Sequence, residues 1–248
     1  MELDRQACLD ALGVGEADVP RLALVTSAWA HGTPPLEALG RLGDVGPVGL
    51  AGMRLIRTAR GSLLHCGAYG AARAVEPVHL AGTVGTPVAI LVGWCVALQP
   101  GLAADDVVLA QTATIGEGAS QYYGGQGTAT ADPDLTDAAA AALGGHGLTA
   151  HRGRVVTAGA LLGPEPRLVE SWAGAGHLAL DLETSAVLSA AAHLGMRAVA
   201  LLLVRHPMLE DAAWLTTIRA ASDRVHGPSV LRLLDAAVEI GLSAPPVG

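Results

Sequence analysis

The 248-residue chain contains no Lys, no Asn and no Phe, and its 15 basic residues are all Arg. Without lysine there is no Schiff-base nucleophile, no P-loop lysine and no kinase-type phosphate lysine. Lys, Asn and Phe have AT-rich codons, so their absence beside abundant Ala, Gly, Arg and Pro marks a GC-rich bacterial genome. Charged residues make up 15% of the chain and aromatics 3%. The three cysteines, Cys8, Cys66 and Cys95, are odd in number and unpatterned. They suggest neither a disulfide framework nor a zinc spacing, and a reducing cytoplasm is the expected setting. The nine histidines show no metal-ligand spacing either, so no metal or other cofactor is expected. A net charge of −8, with only Arg54, Arg57 and Arg60 grouped, argues against nucleic acid as a partner. Apolar stretches such as Ala198–Val204 are too short to span a bilayer. The opening Met1-Glu2-Leu3-Asp4-Arg5 does not read as a signal peptide.

The chain is 51% hydrophobic, enough to build a sizeable core. Apolar runs of strand length recur at Leu22–Val25, Val48–Leu50, Ser62–Cys66, Val88–Val92, Val107–Ala110, Arg154–Ala158 and Val199–Val204. Several are continuous, which suits strands covered on both faces. Helical patterns lie between them: Ala71–Leu80 after a Gly-rich turn, Asp134–Leu143 after Pro133, Glu183–Leu194 stopped by Gly195, and Pro228–Ile240. Strands alternating with helices predict one α/β domain over residues 1–248 with a parallel or mixed sheet. The polar, Gly-rich stretch Gly116–Asp132 is too long for a plain connector, a pattern often tied to function.

Three segments carry candidate chemistry. Val88–Pro100 reads as a buried strand with a tight turn, Leu91-Val92-Gly93-Trp94-Cys95-Val96-Ala97-Leu98-Gln99, and is followed by Asp106-Val107-Val108 and by Glu117-Gly118-Ala119-Ser120. Asp181-Leu182-Glu183-Thr184-Ser185-Ala186 places two carboxylates at a helix entry. Gly195-Met196-Arg197-Ala198 leads into a strand ending Arg205-His206-Pro207. In this order and spacing the segments resemble the nucleoside phosphorylase superfamily, most clearly over residues 60–240. The resemblance implies a mixed, partly barrel-like sheet flanked by helices, a small-molecule substrate and a homo-oligomer: dimer, trimer or hexamer.

By that resemblance Glu183 is the carboxylate that grips the ribose 2′- and 3′-hydroxyls, with Asp181 beside it. A helix cap is the plainer alternative for Glu183. The family's arginine and threonine that hold phosphate fall on Leu91 and Trp94. An aliphatic chain and an indole cannot bind a dianion, so phosphate is not expected as a cosubstrate. The acid that assists the leaving base falls on His206, whose imidazole can donate a proton near neutrality. Gly163-Pro164-Glu165-Pro166-Arg167 keeps only Arg167 of the family's pyrimidine loop. His65, Trp94 and Tyr122 complete the candidate pocket, with Arg205 reading as a surface or ion-pair residue. The expected function is therefore phosphate-independent cleavage of an N-glycosidic bond. The alternatives are a biosynthetic enzyme that uses the same pocket for another reaction, and a non-catalytic ligand-binding homologue.

Overall fold

A computed structural model describes residues 4–27, 39–48, 52–207 and 228–244, the side chains of residues 206 and 207 excepted. The elements run α1 (Arg5–Leu12), β1 (Leu22–Ser27), β2 (Asp44–Pro47), β3 (Met53–Thr58), β4 (Gly61–Ala68), α2 (Ala71–Val84), β5 (Val88–Ala97), β6 (Val107–Gly116), β7 (Thr128–Thr130), α3 (Pro133–Gly145), β8 (Ala150–Ala158), α4 (Pro166–Gly174), β9 (Ala179–Asp181), α5 (Thr184–His193), β10 (Arg197–Pro207) and α6 (Pro228–Ser243).

Strands β4, β1, β5 and β10 lie side by side and parallel, and a β2–β3 hairpin extends the β4 edge. On the other side β10 pairs with β6, β6 with β8, β8 with β9, and β9 with β5. These five strands close a barrel, and helices pack outside it. Register shifts between Ala110 and Thr112 in β6, and between Val204 and His206 in β10, mark the irregularities by which strands bend into closure. The mixed sheet and its helices agree with the α/β architecture expected from the sequence.

The edge of β5 that faces away from β10 is shared by two strands. β1 pairs with Val88–Val92, and β9 pairs with Val96 and Ala97 from the opposite direction. Gly93, Trp94 and Cys95 lie in the fork between them. There the carboxyl end of β1 meets the chain as it leaves β9 for α5. A departure of parallel neighbours at strand ends is where open α/β sheets place their ligands.

Alternation along the strands separates the core into faces. Ala89, Leu91 and Cys95 of β5 join the cluster under α1, α2 and α5, and Val88, Ile90 and Val92 join the cluster under α3 and α6. A smaller cluster under α4 includes Val96, Val156, Val169 and Leu180.

The structure differs from the sequence expectation in several places. β2, β3 and the three-residue strands β7 and β9 appear as added elements, as do α1 and α4. The strand expected over Val48–Leu50 is not seen: Val48 follows β2 outside any strand, and residues 49 and 50 lie outside the described residues. The Gly116–Asp132 stretch is ordered, with a 3₁₀ turn at Ala119–Tyr123 and β7 paired to β6.

Asp132 ties α3 to β10. Its carboxylate caps the helix by accepting the Leu135 N–H at 2.8 Å and takes a two-pronged bond from Arg197 at 3.0 Å to each oxygen. The Arg197 guanidinium holds this carboxyl below its ordinary range. A depressed pKa stabilises the fold above the unfolded value, near 3.9, and the contribution disappears as pH falls through the folded value. Asp132→Ala is expected to cost about 1–2 kcal/mol at pH 7, the scale of a lost N-cap. Urea midpoints for wild type and variant should converge below about pH 4.

Candidate functional site

Glu183 is the last residue before α5, yet it does not cap that helix. Its carboxylate turns into the β1–β9 fork. One oxygen accepts the Gly70 N–H at 2.6 Å and the other accepts the Ser27 hydroxyl at 3.1 Å. The antiparallel register of β9 on β5, continued past Leu180 opposite Val96, carries Glu183 toward Gly93. A Cβ on Gly93 would lie 2.8 Å from a methyl of Leu202 and 3.0 Å from the Ser27 hydroxyl, so the carboxylate's serine partner needs glycine there. Gly70, at φ 84° and ψ 158°, takes a positive-φ conformation open to glycine and so presents its N–H.

What frees Glu183 is Asp181. One oxygen of Asp181 accepts from Glu183 N (3.0 Å), Thr184 N (2.7 Å) and the Thr184 hydroxyl (2.6 Å), and the other accepts from the Thr157 hydroxyl (2.7 Å). Thr157 Oγ1 in turn accepts the Ser185 N–H at 2.9 Å. The donors at the start of α5 are thus met by Asp181 and Thr157. Asp181 sits beside Glu183 as the motif implies, with its bonds directed into the protein.

Both carboxyls are buried. Burial, opposed by its four donors, raises the Asp181 pKa. Burial and the neighbouring Asp181 charge push Glu183 up to about 8 against the pull of its Gly70 and Ser27 donors. Glu183 is therefore largely a neutral acid at pH 7, with a carboxylate accessible at mildly alkaline pH.

The remaining candidates occupy other places. Thr26 precedes Ser27 in β1, so its side chain lies on the opposite sheet face, where its hydroxyl is 3.0 Å from His65 Nε2. Burial, reinforced by the Arg54 charge, lowers His65 to about 4 and keeps the imidazole neutral. Trp94 is half-buried against the α3/α6 cluster, with the Arg205 guanidinium 5.5 Å from its ring centroid. That is a cation–π contact, made by an Arg205 that is half-buried. Leu91 is fully buried in the α2/α5 cluster. Tyr122 is 88% exposed and Arg167 is exposed on α4, and neither is a partner of Glu183. Tyr123 is the packed tyrosine: its hydroxyl is 3.1 Å from His79 Nδ1 and its ring meets His79 and His193 edge-on. The His206 side chain lies outside the described residues; its backbone pairs opposite Val96. Among the described residues no group of three or more His, Cys, Asp or Glu is placed to hold a metal ion.

Sequence reasoning singled out the two carboxylates and noted the Gly-rich turn before Ala71, to which Gly70 belongs. It missed Ser27, Thr157 and Ser185. A serine closing the first buried strand was the available signal for Ser27.

A β-fork holding a buried carboxylate, with the barrel beside it, defines the class. The sequence profile of the Phosphorylase superfamily matches residues 40–236, and the chain belongs to that family. It is 34% identical over 133 residues to a "Purine nucleoside phosphorylase DeoD-type" of Geobacillus kaustophilus (strain HTA426), a match covering 53% of this chain and 56% of that one. The chain thus spans about half the length of the curated relative it matches. In fold it is similar to uridine phosphorylase from Vibrio fischeri ES114, solved with 6-hydroxy-1-naphthoic acid. The TM-score is 0.70 at 19% identity, over 90% of this chain and 95% of that one.

Asp181→Ala would strand four donors in a dry site, and a loss of about 2–4 kcal/mol in folding free energy is expected. Chemical denaturation checks this. Full stability with lost ligand binding would instead make Asp181 a ligand group.

Proposed function

We propose that the chain is an enzyme that cleaves the N-glycosidic bond of a nucleoside or nucleoside-like metabolite with water in place of phosphate. The observation that carries this reading is Glu183. It is a buried carboxyl held from behind by Gly70 and Ser27, released from helix capping and carrying spare acceptor capacity for sugar hydroxyls. Cleavage develops positive charge at the anomeric centre, and a nearby carboxylate that binds the ring hydroxyls both orients the sugar and stabilises that charge. In this reading water adds to the anomeric carbon and its released proton passes to bulk solvent, from which His206 is reprotonated for the next turnover. The electron pair of the broken C–N bond leaves with the base, which takes a proton from His206. The related purine nucleoside and uridine phosphorylases support a nucleoside as the substrate class.

Water is favoured over phosphate by Leu91 and Trp94. A fully buried leucine within the core offers nothing to an anion, and an indole carries one N–H donor and no positive charge. Release of free base from a panel of purine and pyrimidine nucleosides is expected to proceed at the same rate with and without phosphate. A rate that rises in proportion to phosphate would refute the hydrolytic reading.

The raised pKa of Glu183 gives a second test. Its folded value of about 8 lies above the ordinary glutamate value near 4.3, so folding favours the neutral acid. The associated penalty is absent below about pH 4, grows as pH rises and levels off above about pH 8. Sugar hydroxyls donate to the ionised form, so ligand affinity is expected to rise with pH and level off near that value, with proton release on binding. Glu183→Gln, a neutral isostere, is expected to keep or raise the melting temperature at pH 8 while losing affinity. Paired calorimetric and thermal melts on the two proteins check both signs. A destabilised variant with unchanged affinity would make Glu183 structural.

A further inference from the structure

The Gly116–Asp132 stretch is long and rich in glycine, and glycosidic cleavage at Glu183 and His206 makes no use of it. It carries one carboxylate with an unusual load. Glu117, the first residue after β6, accepts the Ser185 hydroxyl at 2.9 Å and the Ser120 hydroxyl on one oxygen. Its other oxygen accepts Ala119 N at 2.5 Å and Ser120 N at 3.2 Å. Ser120 and Ser185 are fully buried, and their hydroxyl oxygens lie 3.4 Å apart. The loop then folds back, with Gly125 N donating to Ser120 O at 2.9 Å. It runs so close to α5 that a Cβ on Gly125 would lie 2.7 Å from the Ser189 hydroxyl. Ser185 and Ser189 are four residues apart, one above the other on the same helix face. The loop therefore lies along the first turns of α5 and is fastened to them through a charged acceptor.

Two fastenings act on the start of this helix. Asp181 and Thr157 hold its backbone N–H groups, which fixes where the helix begins. Those bonds meet the helix at one end of its axis. Ser185 projects sideways from the helix, so its bond to Glu117 adds to the packing of the buried residues Thr184–Ala191 in setting the rotation. Glu183 is two residues earlier, and the direction of its side chain depends on that rotation.

We propose that Glu117, acting through Ser185, is the positioning residue that aims the Glu183 carboxyl at Ser27 and Gly70. The proposal rests on reading Glu183 as the sugar ligand. It assigns the long loop the role of a clamp on the binding carboxylate, with no contact to substrate required.

The test compares wild type with Glu117→Gln, Ser185→Ala and the double variant. Inosine and uridine serve as binding probes. Titration of the Glu183 carboxyl is followed by carbon-13 NMR of glutamate-labelled protein, its signal identified by loss in Glu183→Gln. Each single variant is expected to weaken probe binding roughly tenfold, the worth of one charge-assisted hydrogen bond. Ser185→Ala is also expected to move the Glu183 titration further up, because a misaimed carboxyl loses the Gly70 and Ser27 donors that hold it down, and the double variant is expected to weaken binding little beyond either single one. Ser185→Ala changes no charge, so its shift cannot come from removing a nearby anion. It also stands alone should Glu117→Gln fail to fold. Affinity and titration both at wild-type values in Ser185→Ala, even with a lowered melting temperature, would overturn the proposal and leave Glu117 a loop fastener. If neither probe binds, the titration decides by itself. If Glu183→Gln binds the probes as tightly as wild type, the sugar reading fails, whatever the titration says of Glu117.

Discussion

The site depends on a division of labour between two acids separated by one residue. A helix that starts in a buried place must find acceptors for its first N–H groups, and the nearest carboxylate normally supplies them. Here Asp181 and the Thr157 hydroxyl supply them, so the acid at the helix entry has no capping work. Glu183 turns instead toward Ser27 and Gly70. The environments of the two carboxyls differ accordingly. Asp181 is surrounded by four donors, whereas Glu183 has two donors and a like charge beside it, the arrangement that drives a carboxyl toward neutrality.

The barrel supplies the place. β5 serves β1 along its first half and β9 at its end, and the change of partner leaves three residues at the centre of the fork. Gly93 is small enough to let Ser27 approach from one strand while the residues after β9 arrive from the other. On the opposite sheet face the same strand ends carry Thr26 with His65, and Trp94 with Arg205. The alternation of a strand therefore sorts the polar groups of this region into two sets, of which one surrounds the acid.

Much of this was legible in the sequence because the strands that frame the site are long and covered on both faces. Runs such as Val88–Val92 and Val199–Val204 have a signature that needs no partner to be read. The Asp181–Glu183 motif was legible through its spacing to the following strand. β9 was not: three residues carry no period, and only pairing with Val96 and Ala97 makes them a strand. The capping role of Asp181 was hidden because Thr157 lies 24 residues earlier in the chain. Composition also failed to distinguish Tyr122 from Tyr123. A 3₁₀ turn sends the first into solvent and the second against two histidines. The Gly116–Asp132 stretch was recognisable as unusual, but its glycines explain close packing on α5 as well as they would explain mobility.

The bonds around Glu183 join positions 156 and 113 residues apart. Closing such long loops is entropically costly, and contacts of this separation form late, once the strands between them are paired. A chain emerging from the ribosome therefore completes β1, β4 and β5 well before it has any acid to place between them. The Glu183 carboxyl becomes buried only when the β9–α5 segment docks, so its shift out of the ordinary glutamate range would time closure of the barrel.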